Sequence, residues 1–290
     1  MAEVKQRKIK NRLSARTNVI ITITCAVIAA LLIFLVLYLC GLRYVKYNFA
    51  DGFSVTFVGV TDINGYPKNG RLSYSGSDDV DGLTATVNEK DGTIEYSNGD
   101  VYKGEMQDLV KHGQGKLTYE NGDVYEGGFI ADKPSGEGIL TFSNGDKYVG
   151  GFKNGKRHGE GTYTYADGST YEGSFEGGVK HGEGIYRSID GSVYEGSYKN
   201  NLKHGEGKYT YLDGSVYEGE FFEDKRSGMG TYTWANGEKY VGEFRENTLW
   251  GKGTYTWTDG RSYTGYFEGG LIVRVDDEPA EEVGQTTEES

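Results

Sequence analysis

At 290 residues the chain has room for one or two domains, and 31 Lys and Arg against 43 Asp and Glu leave a net charge of −12, which excludes a binder of nucleic-acid phosphates. Its 46 glycines and 24 tyrosines beside only three prolines exclude a Pro-rich disordered chain and call for a folded, strand-rich one punctuated by glycine. The only cysteines, Cys25 and Cys40, sit in one apolar segment, which excludes a disulfide framework in the rest of the chain.

Residues 1–18 are basic, with Lys5, Arg7, Lys8, Lys10, Arg12 and Arg16 against a single Glu3. No charge interrupts residues 19–42. As a helix at 1.5 Å per residue that stretch is about 36 Å long, enough to cross a hydrocarbon core of ~30 Å. A cleaved signal peptide has a shorter apolar region and a small-residue cleavage site, which Leu37, Tyr38, Leu39 and Cys40 do not offer. Residues 19–42 therefore read as a transmembrane helix. The positive-inside bias places 1–18 in the cytoplasm and 43–290 outside, in a single-pass plasma-membrane protein. Residues 43–52 read as a linker.

Beyond it a fixed period dominates. Tyr102, Tyr125, Tyr148, Tyr171, Tyr194, Tyr217, Tyr240 and Tyr263 follow one another at intervals of 23 residues, each with glycine two positions later. Between them run a Gly-x-Gly pair, a short run such as TYTY or TYTW, and then NGD or DGS. Asn-Gly and Asp-Gly between alternating runs signal a hairpin, here expected to be a type I′ turn with positive φ at both central residues. Period-2 alternation puts Tyr125, Gly127 and Phe129 on one face and polar residues such as Glu172 on the other, and glycine leaves room for a ring to lie across the neighbouring strand. Residues 53–97 carry two degenerate copies, around Phe57-Val58-Gly59 and Val80-Asp81-Gly82, and residues 98–275 the regular array. Leu271, Ile272 and Val273 replace the expected His-Gly step and suit an apolar cap on the last edge. After Arg274 come seven acidic residues and no base, so 276–290 read as an acidic disordered tail.

The sum is an all-β chain: an elongated, single-layer antiparallel β-hairpin ribbon preceded by one transmembrane α-helix. Its Y-E-G-x-F, H-G-x-G and D-G steps, as at 171–191, resemble the MORN repeat (membrane occupation and recognition nexus) over most of residues 53–270. The resemblance implies a ribbon used for protein interaction, in some members for homodimerisation and in others for lipid association. It implies no reaction and no cofactor. One N-terminal span, no N-x-Ser/Thr sequon outside it and no disulfide framework suit a bacterial surface protein.

His112, His158, His181 and His204 share one phase, roughly 10 Å apart at two strand spacings, too far apart to converge on one metal ion, and read as turn residues. One slot earlier, Lys111, Arg157, Lys180, Lys203 and Arg226 form a candidate basic column for a polyanion such as cell-wall polymer or phospholipid headgroups. The nearby Glu137, Glu160, Glu183 and Glu206 favour local ion pairing instead. Residues 43–290 hold 25 bases and 42 acids, a net of −17 that an anionic membrane surface repels. The aromatic face is the candidate binding surface, for a protein partner or for stacked sugars: Tyr163, Tyr186, Tyr209, Tyr232, Trp234, Trp250, Tyr255 and Trp257, weighted toward the C-terminal third. An open repeated ribbon gives catalysis no pocket, so no catalytic residue is assigned.

Overall fold

The computed structural model describes residues 2–49, 52–76, 81–88 and 92–273, with backbone alone for 2–16 and 18. The acidic stretch 276–290 and Val80 of the second degenerate copy lie outside the described residues. The chain divides into two compact units, 1–112 and 113–290.

The first unit opens with α1 (Ala2–Leu39), a continuous helix that takes in the basic segment as well as the apolar one. Val19–Leu39 has a mean hydropathy of 3.1 and is long and apolar enough to cross a membrane, a property shared by anchors and signal sequences. The helix stops three residues before the expected end at 42. Gly41 adopts φ +83°, the left-handed conformation that terminates helices, and Arg43 Nη1 donates to the Tyr38 carbonyl at 2.7 Å. The chain turns at once into β1 (Leu42–Asn48), so residues 43–52 are not simply the linker their sequence suggested. Half-buried Arg43 and Val45 alternate with exposed Leu42, Tyr44 and Lys46. This strand satisfies the backbone edge of β2 (Ser54–Thr61), pairing from Leu42 opposite Val60 to Asn48 opposite Ser54.

Strands β3 (Pro67–Ser75), β4 (Thr84–Asn88), β5 (Thr93–Tyr96) and β6 (Val101–Gln107) follow, each antiparallel to the one before. Fully buried Phe57 lies across the paired glycines Gly59 and Gly70, where an added Cβ would stand 2.7 Å from its ring. Val55, Leu72, Tyr74, Ile94 and Tyr96 complete the core on that face.

Strand β7 (Val110–Thr118) crosses the boundary between the units. The second unit continues with β8 (Val124–Ile130), β9 (Lys133–Thr141), β10 (Lys147–Lys153), β11 (Lys156–Thr164), β12 (Thr170–Glu176), β13 (Val179–Arg187) and β14 (Val193–Lys199). It ends with β15 (Leu202–Thr210), β16 (Val216–Phe222), β17 (Lys225–Thr233), β18 (Lys239–Arg245), β19 (Thr248–Thr256), β20 (Ser262–Glu268) and β21 (Leu271–Val273). Each strand pairs antiparallel with the next, so this unit is an open sheet in sequence order.

One face carries the core. Tyr125, Tyr148, Tyr171, Tyr194, Tyr217 and Tyr240 are each 0% exposed. Each ring sits edge-on between the aromatic ring four residues on and its equivalent in the next repeat, as Tyr148 does with Phe152 at 5.2 Å and Phe175 at 5.0 Å. Beneath the rings lie cross-strand glycine pairs, Gly150 opposite Gly161 and Gly173 opposite Gly184. A Cβ on Gly161 would stand 2.4–2.6 Å from atoms of the Tyr148 phenol, so the ring is flush with bare backbone. Burial of the hydroxyl needs a partner, and Tyr148 donates to the Gly151 carbonyl at 3.0 Å, Tyr194 to that of Ser197 at 2.9 Å.

The two kinds of turn are reversed from expectation. At NGD and DGS only the glycine has positive φ, as at Gly122 (+88°). Tyr119 N–H donates to the Asp123 carbonyl at 2.8 Å and Gly122 N–H to that of Tyr119 at 2.9 Å, a three-residue loop closing on one left-handed glycine. The two-residue turns with positive φ at both centres lie at the opposite edge, at Ala131-Asp132 (+47°, +68°), Asn200-Asn201 (+53°, +73°) and Glu223-Asp224 (+48°, +67°). Ala131 is an exposed non-glycine residue held in the left-handed region. Replacing it with Asn, which tolerates that region, is expected to stabilise the chain by about 0.5–1 kcal/mol in thermal unfolding. An unchanged or lower midpoint would contradict the turn assignment.

Candidate functional site

The turn residues also tie successive repeats together. Asp146 Oδ1 accepts from Ala166 N–H at 2.8 Å, and Ser169 and Ser215 hydroxyls accept from Ile189 N–H at 3.0 Å and Ala235 N–H at 3.1 Å. Along the other edge Asn201, Asp224 and Asn247 accept from the backbone N–H of Lys180, Lys203 and Arg226 at 2.9, 3.0 and 2.8 Å. These ladders hold a second aromatic row beside the buried one.

That row contains seven of the eight predicted surface rings: Tyr163, Tyr186, Tyr209, Tyr232, Trp234, Tyr255 and Trp257, all half-exposed. Tyr165 and Tyr211, which sequence reasoning left out of the site, extend it. Toward the C-terminus the rings form a stair: Tyr211 to Tyr232 at 5.7 Å, Tyr232 to Trp234 at 4.7 Å, Trp234 to Tyr255 at 5.1 Å and Tyr255 to Trp257 at 5.1 Å. Ser188 occupies the slot of Tyr165 and Tyr211 and interrupts it.

Two tyrosines are locked by acids on the preceding turn. Tyr163 Oη donates to Asp146 Oδ2 and Tyr255 Oη to Glu238 Oε2, each at 2.6 Å. Burial and these acceptors push both phenols up to about 12, while the donated bonds draw Asp146 and Glu238 below the usual carboxylate range. The third residue of NGD was legible as a turn former; that its carboxylate would reach a ring 17 residues on was not.

Trp250 is a correction. It lies on the opposite face, under Arg245 at 5.0 Å, because it occupies the histidine slot next to the inward position 249. His204 packs on exposed Phe222 at 5.3 Å on that same face, and His181 Nε2 lies 3.7 Å from Glu176 Oε2.

The basic column is also placed differently from the ion-paired reading. Bases and glutamates are three residues apart on a strand, as in Arg157 and Glu160, and an odd separation puts them on opposite faces. Glu160 and Glu183 accept from Ser174 and Ser197 hydroxyls at 2.5 Å on the solvated face. The bases instead roof the aromatic face. Arg157 lies over Tyr163 at 5.0 Å and Phe175 at 5.4 Å, and Lys180 over Tyr198 at 5.0 Å and Tyr186 at 5.4 Å. Lys203 lies over Tyr209 at 4.9 Å and Arg226 over Tyr232 at 5.0 Å. Burial lowers the pKa of Lys180 and Lys203. In the first unit Lys111 lies over Tyr96 at 4.6 Å.

Among the described residues no group of three or more His, Cys, Asp or Glu is placed to hold a metal ion. Shallow troughs over the bare glycines of the solvated face, such as that lined by Lys116, Glu126, Ile139 and Val149, gather no acid, base and nucleophile in one enclosed site.

The family model described as MORN repeat matches seven consecutive stretches, 102–124, 125–147, 148–170, 171–193, 194–216, 217–239 and 240–260. No curated protein matches the chain. Among solved structures, the SAS-4 (dCPAP) TCP domain of Drosophila melanogaster, in complex with a proline-rich motif of Ana2 (dSTIL), is 15% identical, with 53% of this chain and 84% of that one covered at a TM-score of 0.34. A streptogramin B lyase is 14% identical, with 79% of this chain and 84% of that one covered at a TM-score of 0.18.

Proposed function

The chain belongs to the MORN repeat family, and on that premise we propose that it is a membrane-anchored, non-catalytic interaction scaffold that binds a protein partner through the half-open aromatic row. The carrying observation is the stair of Tyr211, Tyr232, Trp234, Tyr255 and Trp257, whose rings are held by one another and by Glu238 yet keep half-exposed faces. Rigid aromatics lose little conformational freedom on binding and serve as interface anchors. Repetition adds avidity: a partner that matches the repeat pitch makes several weak contacts at once. The helix Val19–Leu39 acts as the anchor, with the basic segment before it in the cytoplasm and residues 43–290 outside.

The test is a photo-crosslinking residue at Trp234 in the membrane-bound chain, with one at Glu172 on the solvated face as comparison. Irradiation of living cells is expected to yield a discrete protein adduct from 234 and none from 172, and protease added to intact cells should then remove it. Equal yields from both positions, or none from 234, would overturn the scaffold reading. An adduct protected until lysis would reverse the orientation.

A further inference from the structure

We infer that the cations on the aromatic face form a rail for an extended acidic peptide, with one carboxylate of the peptide for each repeat of the chain. The inference rests on the scaffold reading and names its partner by chemistry. Four consecutive repeats present the same pair, a cation beside a half-exposed ring: Arg157 with Tyr163, Lys180 with Tyr186, Lys203 with Tyr209, Arg226 with Tyr232. Pro134 before them and Leu249 after them occupy the same slot and bound the rail.

None of the four cations has a carboxylate within 4 Å among the described residues. Asp146 near Arg157, and Asp224 near Lys180 and Lys203, act on them only from beyond ion-pair contact, with their oxygens held by other donors. Asp146 accepts from Tyr163 Oη and Ala166 N–H, and Asp224 Oδ1 accepts from Lys203 N–H. Arg157 and Arg226 each spend one Nη2 donor on a backbone carbonyl, of Gly178 at 2.7 Å and Asn247 at 2.6 Å, leaving other guanidinium donors. Half-buried cations with no carboxylate in ion-pair contact among the described residues leave charge and donors for an anion from elsewhere. Their arrangement selects its shape. They lie in single file, one per two strands, so the spacing is about 9.6 Å and the rail about 29 Å long. A polyproline II chain advances about 9.3 Å per three-residue turn and shows one side chain per turn to the same side. An acid at every third position therefore stays in step with four cations over about ten residues, while the intervening residues pack on the flanking rings. A planar membrane would meet the surrounding negative charge, a net of −17 over residues 43–290, as well as the rail.

The probe is a labelled peptide of tandem Glu-Pro-Pro units, titrated by fluorescence anisotropy into the full chain in detergent, with tandem Gln-Pro-Pro as control. The Glu peptide is expected to bind at least about tenfold more tightly than the control, to weaken with added salt, and to lose about tenfold in the Lys180→Gln/Lys203→Gln variant. Lys180→Arg/Lys203→Arg should restore binding, which separates lost charge from lost fold. Binding seen only after residues 274–290 are removed would also support the rail and make that acidic stretch its occupant. Equal affinity for both peptides, no effect of the Gln variant, no binding with or without 274–290, or vesicles of phosphatidylglycerol that bind through the two lysines in the peptide's place would overturn it. A Trp234 adduct indifferent to the lysine variants would leave the scaffold reading standing and remove the acidic-peptide rail.

Discussion

Gly184→Ala is expected to destabilise the array by at least about 3 kcal/mol, an overpacking cost at the top of the usual range. The added methyl would meet Tyr171 Oη, Cε2 and Cζ at 2.4, 2.5 and 2.6 Å. The ring has nowhere to go. It is 0% exposed, edge-on to Phe175 at 5.2 Å and Tyr198 at 5.1 Å, and tied by its hydroxyl to the Ser174 carbonyl at 3.1 Å. Behind it the paired strand offers only the backbone of Gly173. A linear array passes stress to its neighbours alone, so the damage should centre on β12 to β14. Chemical unfolding followed by circular dichroism, with Glu172→Ala on the exposed face as comparison, checks this. The comparison should stay within about 0.5 kcal/mol of wild type. A Gly184→Ala loss that small would mean the Tyr171 ring does not lie on the glycine pair.

The second large effect is alkaline unfolding. Burial raises the buried and half-buried tyrosines, Tyr125, Tyr148, Tyr163, Tyr240 and Tyr255 up to about 12, and Tyr171, Tyr194, Tyr198 and Tyr217 further. In the unfolded chain these phenols ionise near pH 10. The folded state thus holds more protons than the unfolded one above that pH, and stability falls as pH rises. Their contribution is complete below about pH 10 and is lost on the way to about 12 and beyond. Because many equivalent rings contribute, tyrosinate absorbance and loss of sheet dichroism should appear together in that window. Tyrosinate absorbance rising near pH 10 for these residues, with the sheet dichroism intact, would contradict the burial of the row.

Much of this architecture is legible without coordinates because it is written in short-range periodicities. The 23-residue spacing of Tyr-x-Gly and the alternation within each strand are enough for an antiparallel hairpin array with one aromatic face. The glycine beside each tyrosine announces a ring lying on backbone. An uncharged run from 19 to 42 is enough to mark a membrane-length helix.

What escaped sequence reasoning depends on register and on what lies across the strand. The left-handed Ala131-Asp132 and Glu223-Asp224 turns carry no glycine to signal them, whereas the Asn-Gly pairs that do carry one close a different loop. Charge counting paired Arg157 with Glu160, which the pleat places on opposite faces, and grouped Trp250 with rings on the far side of the sheet. Composition and period determine that this chain is a β-hairpin array of the MORN family behind an apolar helix, since local spacing suffices to set strand, turn and face. Only the tertiary structure decides which rings stay half-open and which cations stand over them without a carboxylate in contact, because both follow from contacts across strands, such as Asp146 with Tyr163, Lys180 with Tyr198 and Tyr148 with Phe175, between residues 17 to 27 positions apart in the chain.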